Sequence, residues 1–129
     1  MSKYLLDTAV FLWAADNPEN LSKEAGTILV DAGKNILLSS VSVWEMAIKF
    51  SLGKLLLSMI PEKMVYEHAA MMKFLPLMIT HAHSLQVAQL PFHHKDPFDR
   101  LLIAQALVEE IPIITPDSHF KKYGVEVIW

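Results

Sequence analysis

The sequence contains no cysteine, which removes disulfides, thiolate zinc sites and cysteine nucleophiles together and fits a reducing cytoplasm. It lacks any uncharged apolar run approaching the roughly 18 residues of a membrane-spanning helix, although 53% of its residues are hydrophobic. The opening Met1-Ser2-Lys3-Tyr4-Leu5-Leu6-Asp7 meets a charge before an apolar core could form, so it does not read as a signal peptide. Gly-x-Gly-x-x-Gly and the P-loop are both missing, which removes the common nucleotide-binding modules. There are no repeats, low-complexity segments or linkers. What remains is a soluble, cytoplasmic chain whose 129 residues suit one compact domain, 1–129.

Short β-rich runs alternate with helical stretches. Lys3 to Leu6 reads as a buried strand ended by Asp7-Thr8. Leu21 to Ala32 has a helical period, with Asn20 or Ser22 as cap and Gly33 as stop. Ile36 to Ser39 is a second strand, followed by a helix from Val43 to about Leu52, whose Ser42 stands at capping-box spacing from Glu45. Pro61 opens a helix from Glu62 to about Phe74, with Met64, Val65, His68, Met71 and Met72 as one stripe. Leu77 to Ile79 reads as a short strand and Thr80 to Ala88 as a helix. Asp96-Pro97 starts the longest apolar helix, to about Glu110. Ile111 to Thr115 and Val125 to Trp129 are closing strands. Strands apolar on both faces and alternating with helices predict an α/β fold with a central parallel sheet covered on two sides.

Ligands bind such sheets at the carboxyl ends of the strands. Four acids fall there or in the first turns of the helices that follow: Asp7, Glu45, Asp99 and Asp117. Each has an ordinary structural reading. Asp7 suits a turn, Glu45 a capping box, Asp99 the helix dipole, and Asp117 the cap of a short helix through Phe120. Gathered at one sheet end, however, four carboxylates repel one another and raise their pKa values unless a cation is bound. Oxygen-only ligands suit Mg²⁺ or Mn²⁺, one or two ions, rather than zinc. The net charge of −3 argues against a phosphate-rich ligand until these acids are set aside, when the rest sums to −3 + 4 = +1. Divalent ions would make the pocket attractive to phosphate. The chemistry inferred is metal-assisted attack on a phosphodiester.

The stretches Leu5-Leu6-Asp7-Thr8, Ser39-Ser40-Val41-Ser42-Val43-Trp44-Glu45, Asp96-Pro97-Phe98-Asp99-Arg100-Leu101-Leu102-Ile103-Ala104-Gln105-Ala106 and Thr115-Pro116-Asp117 resemble, in order, the four signature blocks of the PIN domain. The resemblance implies a three-layer α/β/α sandwich, and it implies metal-binding and catalytic roles for Asp7, Glu45, Asp99 and Asp117, with Thr115 as a polar helper. In its VapC-like toxin branch it further implies an endoribonuclease that leaves 5′-phosphate ends, a homodimer, and a small cognate antitoxin. The chain departs from many relatives at Ala9, where they carry histidine, which bears on local substrate contacts.

Residues beyond the acids have two readings each. Lys49, one turn after Glu45, either touches RNA phosphate or pairs with Glu45, and the pair is favoured. His94 and Lys95, in the run His93-His94-Lys95, are candidate RNA contacts or a solvated loop. Arg100 is a candidate RNA contact or, better, a structural salt bridge. His81 and His83 suit caps or packing. The methionine stripe and Phe11, Leu12 and Trp13 read as core, or else as a dimer or antitoxin surface. The rival functions are a degenerate PIN fold kept for protein binding and a receiver-type phosphoacceptor domain. The receiver would need an acidic pair after the first strand and a late lysine, whereas here Asp7 stands alone and the strand before Asp117 offers no lysine.

Overall fold

Leu5 and Leu6 are neighbours on opposite faces of strand β1 (Lys3–Leu6), and both are fully buried. The same holds for Ile113 and Ile114 in β4 (Ile113–Ile114). Burial on both faces requires cover on both sides, and the computed structural model, which describes residues 2–129, shows it. Five parallel strands run in the order β3-β2-β1-β4-β5, with β2 at Asn35–Ser39, β3 at Leu75–Leu77 and β5 at Val127–Ile128. Leu5, Leu37 and Ile113 face a core shared with Leu102, Ile103 and Phe120. Leu6, Leu38 and Ile114 face a second core with Phe11, Met46 and Met64. Helices thus lie on both sides of a parallel sheet, the α/β architecture expected.

Helix α1 (Thr8–Asp16) begins directly after Asp7, and α2 (Lys23–Val30) is capped by Ser22, whose hydroxyl accepts from the Ala25 N–H. Helix α3 (Ser40–Ser51) starts three residues earlier than its pattern suggested, because Ser39 caps it by accepting from the Val41 N–H. The capping box expected between Ser42 and Glu45 therefore does not form. Both residues lie inside the helix and are buried.

The helix over 61–71 contains a π-segment at Met64–His68. Its wider turn advances each residue through a smaller angle than an α-turn. The inward face consequently passes to Met72, which is partly buried, and Met71 turns outward at 70% exposure. The single methionine stripe is thereby split. The strand expected at Leu77 to Ile79 sits at Leu75–Leu77 instead, paired in parallel with Leu37 to Ser39. Thr80 and His83 form a capping box on the helix His81–Gln86, with His83 buried. The last long helix, Pro97–Glu109, is capped by Asp96, which accepts from the N–H groups of Phe98 and Asp99. Among the described residues no helix is long and apolar enough to cross a membrane.

Candidate metal centre

The sheet order reverses beside β1, since the chain runs β1-β2-β3 to one side and then returns to β4 on the other. Parallel sheets open a crevice at such a point, outside the carboxyl ends of the strands. Leu6 is in register with Ile114, so the next residues, Asp7 and Thr115, lie side by side, and the Asp7 N–H donates to the Ile114 carbonyl at 3.1 Å. The buried Thr115 hydroxyl donates to Asp7 Oδ2 at 2.7 Å and accepts from the Asp117 N–H at 3.1 Å. One threonine therefore ties two of the four acids together.

Across the crevice, α3 brings Glu45 to within 2.8 Å of the Thr8 hydroxyl, which is also 2.8 Å from the Ser42 hydroxyl. Thr8 has one proton, and donating it to the carboxylate while accepting from Ser42 is the charge-assisted arrangement. The other Glu45 oxygen takes the Lys49 ammonium, so the i,i+4 pair forms. That contact raises the Lys49 pKa, chiefly through the hydrogen bond to Glu45. Asp7, Glu45 and Asp99 line one cleft of about 260 Å³, together with Thr8, Ala9, Lys49 and Asp96.

Asp117 stands beside that cleft rather than in its lining. Its Oδ1 caps the 3-10 turn Ser118–Tyr123, accepting from the His119 N–H at 2.9 Å, and it also meets His119 Nδ1 at 2.9 Å. The cap reading of Asp117 is thus realised alongside its place near the other acids. Its second oxygen lies 3.9 Å from His94 Nε2, which is 3.0 Å from Asp99 Oδ2. His94, Asp99 and Asp117 each offer a ligand atom within 4.8 Å of the others. A ring nitrogen therefore stands inside the acidic cluster, which the expectation of an oxygen-only neighbourhood did not include.

Burial and neighbouring charge act on these carboxylates unequally. Burial, reinforced by Asp7, Asp96, Glu45 and Asp117, pushes Asp99 up to about 8. Burial likewise raises Asp7, against the Thr115 hydrogen bond and with Glu45 adding repulsion. Asp117 is lowered despite its burial, because His119 donates to it from backbone and side chain and the charges of His119 and His94 act in the same direction. Lys49 is spoken for by Glu45. A divalent cation is the counter-charge this donor set fits, and the predominance of carboxylate oxygens matches a hard ion of the Mg²⁺ or Mn²⁺ kind.

Other candidates fall elsewhere. Lys95 is exposed on the loop before the long helix. Arg100 is 6% exposed, and its guanidinium donates to the carbonyls of Pro91, Val87, Leu90 and His94. Among the described residues its guanidinium meets no carboxylate, so the structural salt bridge expected of it does not form, and backbone carbonyls take its charge instead. His119, Thr8 and Ser42 were not singled out from sequence. Thr8 and His119 had only their closeness to Asp7 and Asp117 to mark them, and Ser42 was assigned to a cap.

A PIN domain family model matches residues 4–126. The fold is similar to a chain in the structure of VapBC2 from Rickettsia felis bound to a DNA fragment from their promoter, with 15% identity, TM-score 0.71, and 98% of this chain and 97% of that chain covered. It is similar to one in DNA-bound VapBC from Salmonella typhimurium, with 16% identity, TM-score 0.70, and coverages of 99% and 98%. VapBC-5 from Mycobacterium tuberculosis, a member of the VapBC family of toxin-antitoxin systems, is similar at 17% identity and TM-score 0.61, with coverages of 99% and 98%. No curated protein sequence matches the chain.

Proposed function

The chain belongs to the PIN domain family, and on that premise we propose that it is a divalent-metal-dependent endoribonuclease, the toxin of a VapBC-type toxin–antitoxin pair, acting in the cytoplasm as a homodimer. One observation carries the reading: Asp7, Glu45 and Asp99 line a single cleft at the switch point of a parallel sheet with Asp96 beside them, and burial, reinforced by the neighbouring carboxylates, lifts Asp99 to about 8.

Asp7, Glu45, Asp99 and Asp117 would hold one or two Mg²⁺ or Mn²⁺ ions. Such an ion supplies Lewis-acid polarisation of the scissile RNA phosphate and acidifies water beside it. The protein's own part is to hold the acids still. Thr115 fixes Asp7 against Asp117, while Thr8 and Lys49 occupy Glu45 from two sides. Lys49 in the cleft lining and the exposed Lys95, next to Asp96 in sequence, are the cations we assign to the RNA backbone.

An antitoxin would need an apolar surface, and Trp13 and Met72, considered for it, offer only part of their side chains. Trp13 packs on Trp129, and both Trp13 and Met72 are partly buried. More open apolar side chains line a groove of about 540 Å³ between α3 and the helix over 61–71, among them Trp44, Tyr66 and Met78. That groove supports a protein partner.

Purified protein incubated with RNA tests the reading. Cleavage with Mg²⁺ or Mn²⁺, arrest by EDTA and 5′-phosphate ends are expected, whereas cyclic 2′,3′-phosphate ends or full activity in EDTA would refute it. Expression should slow growth, and co-expression of the adjacent reading frame should restore it.

A further inference from the structure

We infer that His94 is a positioning residue for Asp99: its Nε2–H donates to the Asp99 carboxylate, and the ring does not itself ligate the metal. The inference rests on the metal-dependent reading above. Seen alone, His94 Nε2 at 3.0 Å from Asp99 Oδ2 and 3.9 Å from Asp117 Oδ2 has the makings of a nitrogen ligand.

The other ring nitrogen decides otherwise. His94 Nδ1 accepts the backbone N–H of Asp96 at 3.2 Å. A ring nitrogen that accepts a hydrogen bond carries no proton, so the neutral imidazole keeps its proton on Nε2, aimed at Asp99. Ligation through Nε2 would move that proton to Nδ1, where it would oppose the Asp96 N–H. The Asp96 amide is not free to turn aside. Asp96 is the cap of the helix Pro97–Glu109, with its carboxylate on the N–H groups of Phe98 and Asp99.

The loop that carries His94 is held as firmly as the ring. The His94 N–H donates to the Tyr123 hydroxyl at 2.7 Å, and its carbonyl accepts from Arg100 at 3.4 Å. Arg100 also donates to Pro91 at 2.7 Å, so this buried cation acts by pinning the segment from which His94 reaches the site. His119 closes the open side, edge-on to the His94 ring at a centroid separation of 5.9 Å. His94 thereby occupies one lone pair of Asp99 and fixes the direction in which the carboxylate presents the others. Partners of this kind typically govern metal affinity by about 10–100-fold.

The test uses the whole chain and Mn²⁺ alone. Nitrogen-resolved NMR of the metal-free protein should find His94 protonated on Nε2. Mn²⁺ titration followed by electron paramagnetic resonance should show His94→Leu weakened by about 10–100-fold. His94→Gln, whose amide N–H can reach Asp99 in the same way, should keep most of the affinity. Spin-echo spectra of the Mn²⁺-loaded wild type should lack imidazole nitrogen coupling. Such coupling in the wild type that disappears in His94→Leu, or equal affinity in all three proteins, would overturn the assignment. Mn²⁺ binding without RNA cleavage would sink only the nuclease reading, whereas no Mn²⁺ binding would remove the metal reading and the role of His94 with it.

Discussion

Asp7 and Glu45 form one side of the site, Asp99 and Asp117 the other, and the two sides are supported differently. The first pair is buried and anchored by threonine hydroxyls and a lysine, on a strand end and inside a helix packed against the sheet. The second pair is more open, sits at the starts of a helix and a 3-10 turn, and is attended by histidines. Carboxylates built into the core are part of the fold as well as of the site. Those at element starts can be altered at smaller cost to folding.

The largest effect that would sharpen this contrast is expected at Asp99. Asp99→Asn should abolish RNA cleavage while the protein stays folded. Its carboxyl is raised from 3.8 to about 8 in the fold, so the stability it contributes is fully present below its unfolded pKa and is lost as the pH rises through the raised one. Melting of metal-free wild type should therefore fall across that window, and Mn²⁺ should reverse the fall. Asp99→Asn should melt with a flatter profile. A metal-free wild type whose melting does not change across this window would mean that the fold does not hold the Asp99 carboxyl above its ordinary value.

Thr115→Val probes the buried side. It strips a donor from Asp7 and an acceptor from the Asp117 N–H in a fully buried place, which should cost about 1–3 kcal/mol in denaturant unfolding. Activity should fall with it. A variant of unchanged stability would erase the distinction between the two sides.

Asp96→Ala, beside Asp99 in sequence, should cost on the order of 1 kcal/mol as a lost helix cap and leave substantial cleavage. The reverse pattern, a stable but inactive Asp96→Ala with an active Asp99→Asn, would exchange their roles. The smallest effect is expected at the rim. Lys95→Ala should lower the salt dependence of RNA binding by a slope of about 1, whereas Arg100→Lys should destabilise the protein and leave that slope alone.

Much of the fold was legible because burial on both faces leaves unbroken apolar runs, as in Leu5-Leu6 and Ile113-Ile114. The cap at Asp96 was legible because proline next to it admits few alternatives. The start of α3 was not, since Ser39, Ser40 and Ser42 are chemically equivalent caps and only the end of β2 selects among them. Nor was the split methionine stripe, because a π-segment changes the helical period without a mark in the sequence.

The sequence by itself determined the parallel α/β class and that Asp7, Asp99 and Asp117 stand at a strand end or an element start, whereas Glu45, expected in a first turn, lies inside α3. Local patterns of apolar and polar residues suffice for both, and for the acids the family resemblance added their order. Tertiary structure alone decided that Thr8 and His94 support those acids, that Thr115 holds Asp7 and the Asp117 amide at once, and that Arg100 turns inward. Those contacts join residues up to 108 positions apart or depend on which face of an element meets the sheet. Strand register and the direction of a ring nitrogen are fixed only when the chain has packed.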